Sequence, residues 1–239
     1  MVQRILQRLA IVAAAVTFIT HASAGPLRIV LVGDSTMCEY DRKLPDRGWG
    51  MYLADAFRPG SVKVFNHAKP GRSTKTFINE GLWKKALEDK PDYVFIQFGH
   101  NDSHERHLPE STDSETDYRE YLVRYINESR AAGATPILVT PMVRRMFKPD
   151  GKLDDNLAPY AAAMKAVASK MNSAIIDLHS TSRALVEPMG PERARQFARN
   201  KDDPTHFNEK GARAMCGLLV KALPTADSRI ADLLSTSVP

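Results

Sequence analysis

Ser35, Asp203 and His206 are far apart in the chain, but they are the three residue types that together make an activated nucleophile. A serine hydroxyl is a weak nucleophile at neutral pH. An imidazole can take its proton, and a carboxylate can fix the imidazole tautomer and stabilise its charged form. Ser35 lies in Gly33-Asp34-Ser35-Thr36, directly after the largely apolar run Leu27–Val32. Asp203 and His206 lie three residues apart in Asp203-Pro204-Thr205-His206, so one turn can carry both, and the adjacent Asp202 is an alternative orienter. Negative charge developing on a carbonyl oxygen also needs hydrogen-bond donors. The backbone N–H groups of Ser35 and Gly71 and the side-chain amide of Asn101 are candidates. Glycine leaves no Cβ in the way of a substrate, and an amide donates without a full charge. Asp-Ser after a glycine is also an ordinary turn and helix cap. The weight therefore falls on how the chain would bring these groups together.

Strand-like runs occur at Arg28–Val32, Val62–Asn66, Tyr93–Phe98, Pro136–Thr140 and Ala174–Leu178. Helix-like stretches lie between them, at Trp49–Phe57, Thr76–Asp89, Asp117–Ala132, Ala158–Met171 and about Asn208–Leu223. Such alternation predicts an α/β fold, a parallel sheet with helices on both faces; five strands in a flavodoxin-like order are the expectation, although the order itself is not written in the sequence. Ser35, the segment Asn66–Ser73 and Gly99-His100-Asn101-Asp102 then follow the first three strands. In open parallel sheets ligands bind outside the carboxyl ends of the strands.

Residues 1–24 read as a secretory signal: Arg4 and Arg8, then an apolar stretch Leu9–Ile19, then Ala22-Ser23-Ala24. The apolar stretch is too short to span a bilayer comfortably. The expectation is a secreted or periplasmic single domain over 25–239, monomeric and free of the membrane once the signal is cleaved. Losing Arg4 and Arg8 lowers the net charge from +5 to +3, too small to argue for nucleic acid. Cys38 and Cys216 have no metal-type spacing. A disulfide between them is open to an exported chain, and unbonded thiols are the expectation.

Gly-x-Ser-x-Gly is absent, which excludes the usual α/β-hydrolase nucleophile elbow. His100, His104 and His107 resemble a zinc cluster, but the portion His104-Glu105-Arg106-His107 is one residue short of His-Glu-x-x-His, so the helical two-ligand geometry is lacking. No metal and no cofactor are expected. The long segment Val143–Leu157 is rich in charge, and loops of that length are often functional. Arg144 and Arg145 there, with Lys148, are either a solvated face or readers of substrate carboxylates, which arginine binds bidentately. Arg193, Arg195, Arg199 and Lys201 form a second basic cluster before His206. Asp34, Thr36, Arg72 and His100, beside the motif residues, complete the candidate substrate contacts.

Ser35 in Gly-Asp-Ser, Gly71 in Asn-x-x-x-x-Gly, Asn101 in Gly-x-Asn-Asp and Asp203-x-x-His206 resemble, in order, the four blocks of the SGNH (GDSL-like) hydrolases. The resemblance spans about Leu27–Leu223. Gly48-Trp49-Gly50, Asn66–Ser73, Gln97–Asp102 and Thr140–Arg145 resemble the rhamnogalacturonan acetylesterase-like branch. The resemblance implies a three-layer α/β/α sandwich and selects Asp203 over Asp202. It also implies a serine esterase that needs no metal and removes O-acetyl groups from pectin. Acetylxylan, another acylated glycan or a lipid-like ester is the alternative substrate. A non-catalytic carbohydrate-binding protein would need a broken set of blocks, and all four are intact.

Since nothing in this chemistry calls for a cation, hydrolysis of a chromogenic acetyl ester is expected to survive prolonged incubation with EDTA. Loss of activity that zinc restores would reinstate the histidine cluster.

Overall fold

Five short apolar runs pair into one parallel sheet: β1 (Leu27–Gly33), β2 (Val62–Asn66), β3 (Tyr93–Gln97), β4 (Thr135–Val139) and β5 (Ala174–Ile176). The spatial order is β2-β1-β3-β4-β5, the expected flavodoxin-like order. The computed structural model describes residues 25–236, so the signal-like stretch 1–24 lies outside the described residues. β1 is central, with Leu27–Leu31 registered on Val62–Asn66 and Ile29–Gly33 on Tyr93–Gln97. Ile29 and Leu31 enter one core while Val30 and Val32 enter the other. Burial on both faces explains why these runs are continuously apolar rather than alternating.

One face is covered by α1 (Thr74–Asn79), α2 (Leu82–Leu87), α3 (Asp117–Ala131) and α4 (Ala158–Lys170). Phe77, Trp83, Phe98 and Tyr125 form an edge-to-face and stacked aromatic cluster there. The opposite face is covered by α5 (Leu178–Val186), α7 (Glu209–Ala226), α8 (Ser228–Ala231) and the 3₁₀ segments Trp49–Tyr52 and Ala54–Ala56. The short α6 (Gly190–Ala194) packs beside Val143 and Leu153 in a small satellite core. The result is the three-layer sandwich.

Three elements depart from the expectation. The single helix Thr76–Asp89 is two helices, because Gly81 adopts φ +76 and serves as the N-cap of α2. Trp49–Phe57 forms only 3₁₀ turns. The last strand ends early, because Asp177 accepts a hydrogen bond from the Ser180 N–H and starts α5. Cys38 and Cys216 are both buried and unbonded. Burial pushes each thiol up to about 12, so neither is a nucleophile.

The segment Gly48-Trp49-Gly50 clasps the chain that follows Ser35. The Trp49 N–H donates to the Thr36 carbonyl (3.0 Å) and the Gly50 N–H to the Met37 carbonyl (3.2 Å). A Cβ on Gly48 would lie 2.1 Å from the Cys38 carbonyl oxygen, which is backbone and cannot swing aside. Gly217, inside α7, has nothing within 4 Å of its would-be Cβ. The two glycines should therefore answer alanine with opposite signs. Gly48→Ala should destabilise by about 1–3 kcal/mol, and Gly217→Ala should be neutral or stabilising by up to about 1 kcal/mol. Urea unfolding of both variants checks this, and equal stabilities would refute the close-approach account.

Candidate active site

The turn after β1 is fixed by Asp34. Its Oδ1 accepts from the Thr36 N–H (2.9 Å) and the Thr36 hydroxyl (2.7 Å), while its backbone carbonyl accepts from the Met37 and Cys38 N–H groups. Its Oδ2 lies 3.1 Å from His100 Nδ1. Desolvation by burial opposes the charge on Asp34, and the His100 ring and the Thr36 donors outweigh it, holding the carboxyl below its ordinary value. Burial also works against a charge on His100. Both its ring nitrogens, however, face oxygens that only accept, Asp34 Oδ2 and the Met142 carbonyl (3.1 Å). Only a doubly protonated ring would donate to both, and burial nonetheless holds the imidazole below its ordinary value against the pull of Asp34. The network continues through Gln97, whose Nε2 donates to Thr36 Oγ1 (2.7 Å) and whose Oε1 accepts from Trp49 Nε1 (2.6 Å).

Above this buried network sits Ser35, only 6% exposed. Its Oγ lies 3.0 Å from His206 Nε2, and His206 Nδ1 lies 2.9 Å from Asp203 Oδ2. Asp203 Oδ1 accepts from the Thr205 and His206 N–H groups, each at 2.8 Å. Desolvation pulls the Asp203 carboxyl upward. Hydrogen bonds from the His206 backbone and ring and from Thr205 overcome this and hold it at about 2. Asp203 is thus an anion at neutral pH, placed to favour Nδ1–H and leave Nε2 free to take a proton from Ser35. Arg199 reaches Asp203 Oδ2 (2.5 Å) and Asp46 (2.7 Å). Tyr40 donates to the Ser35 carbonyl (3.0 Å).

The expected donors lie in the turn after β1 and in the loops after β2 and β3. Gly71 has φ +75, a conformation that a side chain would strain. Neither its N–H nor that of Ser35 has a partner among the described residues. Asn101 Nδ2 gives one hydrogen to the Arg72 carbonyl (2.9 Å), which ties the Gly71 loop to the loop after β3 and leaves the second hydrogen free. Next to it, Asp102 is fully buried and accepts from the Thr74 N–H (3.1 Å), the Thr74 hydroxyl (2.5 Å) and the Thr112 hydroxyl (2.9 Å). Nothing in its spacing sets Asp102 apart beyond its place in Gly-x-Asn-Asp. Gln97 and Trp49 lie in stretches that carry the family resemblance, though residue type alone gives neither a role, and Tyr40 lies in no such stretch.

The expected substrate contacts are corrected by their surroundings. Asp34 and Thr36 are completely buried and His100 is nearly so, which makes them supports of the turn. Arg72 pairs with Glu80 (2.9 Å) and donates to the Pro70 carbonyl (2.9 Å). Arg144 turns inward, donating to the His100 carbonyl (2.8 Å), Ser103 (3.3 Å) and Thr205 (3.2 Å). Arg145 is buried on the Phe207 ring and donates to the carbonyls of Asp203 (3.1 Å) and His206 (2.7 Å). Both arginines therefore brace the His206 loop. The histidine trio is dispersed: His100 lies on Asp34, His104 on Glu110 (2.7 Å) and His107 on Glu105 (3.3 Å).

A serine–imidazole–carboxylate series at the carboxyl edge of a β2-β1-β3-β4-β5 sheet is the architecture of an SGNH-type ester hydrolase. The GDSL-like lipase/acylhydrolase family model matches residues 31–214, and the chain belongs to that family. Rhamnogalacturonan acetylesterase RhgT of Bacillus subtilis (strain 168) is 34% identical over 213 residues, covering 83% of this chain and 90% of that protein. Acetylxylan esterase of Xylanibacter ruminicola is 30% identical over 168 residues, covering 62% of this chain and 32% of that protein. The crystal structure of the Bacillus subtilis protein YxiM superposes with a TM-score of 0.74 at 29% identity, covering 84% of this chain and 56% of that one.

Asp102 generates a stability prediction. Desolvation pushes its carboxyl up to about 7, against the hydrogen bonds from Thr74 and Thr112. The folded state then binds the proton more tightly than the unfolded chain, whose carboxyl titrates near about 4. Stability should accordingly fall as pH rises from about 4 to about 7, by up to roughly 4 kcal/mol, and level off above. Asp102→Asn removes the titration and should flatten that part of the profile in urea unfolding across pH 4–8. An unchanged slope would exclude Asp102 as its origin.

Proposed function

We propose that this chain removes O-acetyl groups from a carbohydrate, with acetylated rhamnogalacturonan as the substrate, and that Ser35, His206 and Asp203 are its catalytic residues. The observation that carries the reading is the series Ser35 Oγ–His206 Nε2 (3.0 Å) and His206 Nδ1–Asp203 Oδ2 (2.9 Å). The similarity to a rhamnogalacturonan acetylesterase along most of both chains supports the substrate.

In this reading Ser35 Oγ attacks the acetyl carbonyl as its proton passes to His206 Nε2. The oxyanion accepts hydrogen bonds from the Ser35 and Gly71 N–H groups and from the second Nδ2 hydrogen of Asn101. Collapse breaks the ester C–O bond, and the imidazolium returns its proton to the departing sugar oxygen. Water, deprotonated by His206, then attacks acetyl-Ser35 and releases acetate. Asp203 remains ionised throughout. The signal-like residues 1–24 support action in the periplasm or outside the cell, where acetylated polysaccharide is met.

A second substrate, acetylxylan, is favoured by the similarity to an acetylxylan esterase. Acetate release from both acetylated polymers separates the two, and preference for rhamnogalacturonan is expected. In either case Ser35→Ala and His206→Ala should each reduce turnover by at least about 10⁴-fold, and the double variant should be little worse than either single. Asn101→Ala should lower kcat on the order of 10²–10³-fold. Near-normal turnover by a folded Ser35→Ala protein would overturn the nucleophile assignment.

A further inference from the structure

A cleft of about 320 Å³ opens beside the backbone that carries the catalytic acid, with Asp203 and Pro204 in its wall. That volume lies near the lower end for ligand pockets and has room for about one sugar ring. Asp203 borders both this cleft and the imidazole: its Oδ2 is 2.9 Å from His206 Nδ1, and His206 Nε2 is 3.0 Å from Ser35 Oγ. The acid in the cleft wall is therefore tied to Ser35 Oγ through one imidazole and two hydrogen bonds. Phe147 and Pro191 supply apolar wall against which the C–H face of a sugar can rest.

The remaining lining is charged. Arg145, Arg195 and Lys201 face Asp202 and Asp203. The Asp203 carboxylate is already engaged by His206, Thr205 and Arg199, so it offers little repulsion to a further anion. Arg195 is paired with Glu192 (2.7 Å), at a position where both side chains are more than half exposed, and such pairs are weak. Lys201 is exposed and has no partner among the described residues. The unusual group is Arg145. It is only 8% exposed, and its Nε and Nη1 have no hydrogen-bond partner among the described residues. Those two nitrogens do not reach solvent, so the guanidinium acts on the cleft through its charge rather than through direct bonds. Desolvation pulls Arg145 down to about 10, which still leaves it charged at neutral pH. A buried, incompletely compensated cation favours an anion nearby.

We propose that this cleft is a subsite for the carboxylate of an acidic sugar in the bound glycan, with Lys201 and Arg195 as its donors and Arg145 as its buried counter-charge. The proposal rests on the reading of the protein as a deacetylase of an acidic glycan and deepens it by placing a uronate carboxylate of that glycan in this cleft. Asp202 is the one uncompensated anion in the lining. It opposes the ligand and so gives a test of opposite sign.

The test is calorimetric titration of the full chain carrying Ser35→Ala with a deacetylated oligogalacturonate, and with a neutral xylo-oligosaccharide of equal length. The acidic oligomer should bind more tightly, and its advantage should shrink in high salt. Adding Lys201→Glu should weaken the acidic oligomer about tenfold or more, while Asp202→Asn should tighten it several-fold. Neither should move the neutral oligomer. Equal binding of the two oligomers, or an unchanged Kd in both charge variants, would overturn the subsite. So would inorganic phosphate binding as tightly as the acidic oligomer, which would make the cleft a general anion site. The titration needs no turnover, so it is independent of acetate release by the wild type, on which the deacetylase reading itself is judged.

Discussion

Everything at the carboxyl edge of the sheet depends on a carboxylate that cannot reach water. Asp34 is completely buried, and its two oxygens gather Thr36 on one side and His100 on the other. A lone buried carboxylate is costly, so the surrounding chain must supply donors, and it supplies them from four separate elements. Trp49 from the 3₁₀ segment, Gln97 from β3, Thr36 from the turn and His100 from the loop after β3 form one continuous series of bonds ending on the Met142 carbonyl. Ser35 follows Asp34 and Asn101 follows His100, so the Asp34–His100 contact sets the separation of the turn that carries Ser35 from the loop that carries Asn101. The three-layer sandwich provides the rigid frame, and this series provides the register of the site within it.

The cations divide between two tasks. Arg144, Arg145 and Arg199 hold the Thr205 hydroxyl, two backbone carbonyls and the Asp203 carboxylate of the loop that bears Asp203 and His206. Arginine suits this because its planar fork can satisfy several acceptors at once. Lys201, Arg195 and Arg193 stay at the surface, Arg193 turning back onto the carbonyls of Pro188 and Met189. A basic count for the region therefore overstates what a ligand meets, since about half of these charges serve the loop itself.

The strands were legible because a doubly buried strand has to be apolar, and Leu27–Val32 or Tyr93–Phe98 can hardly be anything else. The meeting of Asp203 and His206 was legible for a different reason: an acid three residues before an imidazole reaches it within one turn, and here it does so at 2.9 Å. The break at Gly81 was hidden because the apolar spacing runs on from Phe77 to Leu82 and Trp83, and only the backbone angle interrupts it. The start of α5 at Leu178 was hidden by the apolar Ala174–Ile176 before it, although Asp177 and Ser180 carry the cap. The direction of Arg144 and Arg145 could not be read at all. Residue type gives charge and reach, but the acceptors that turned them inward are carbonyls of Asp203, His206 and His100, brought near only by the fold.

The hydrogen bond between Ser35 and His206 joins residues 171 positions apart. Closing so long a loop carries an entropic cost that only the completed sheet and the docking of α7 against Trp49–Tyr52 offset. The chemistry is therefore a property of the finished chain. A polypeptide still being synthesised carries Ser35 early and lacks His206, its proposed base, until the final fifth emerges. Partly folded species with most of their strands and helices in place remain silent, so recovery of turnover during refolding marks the last long-range closure rather than the growth of secondary structure.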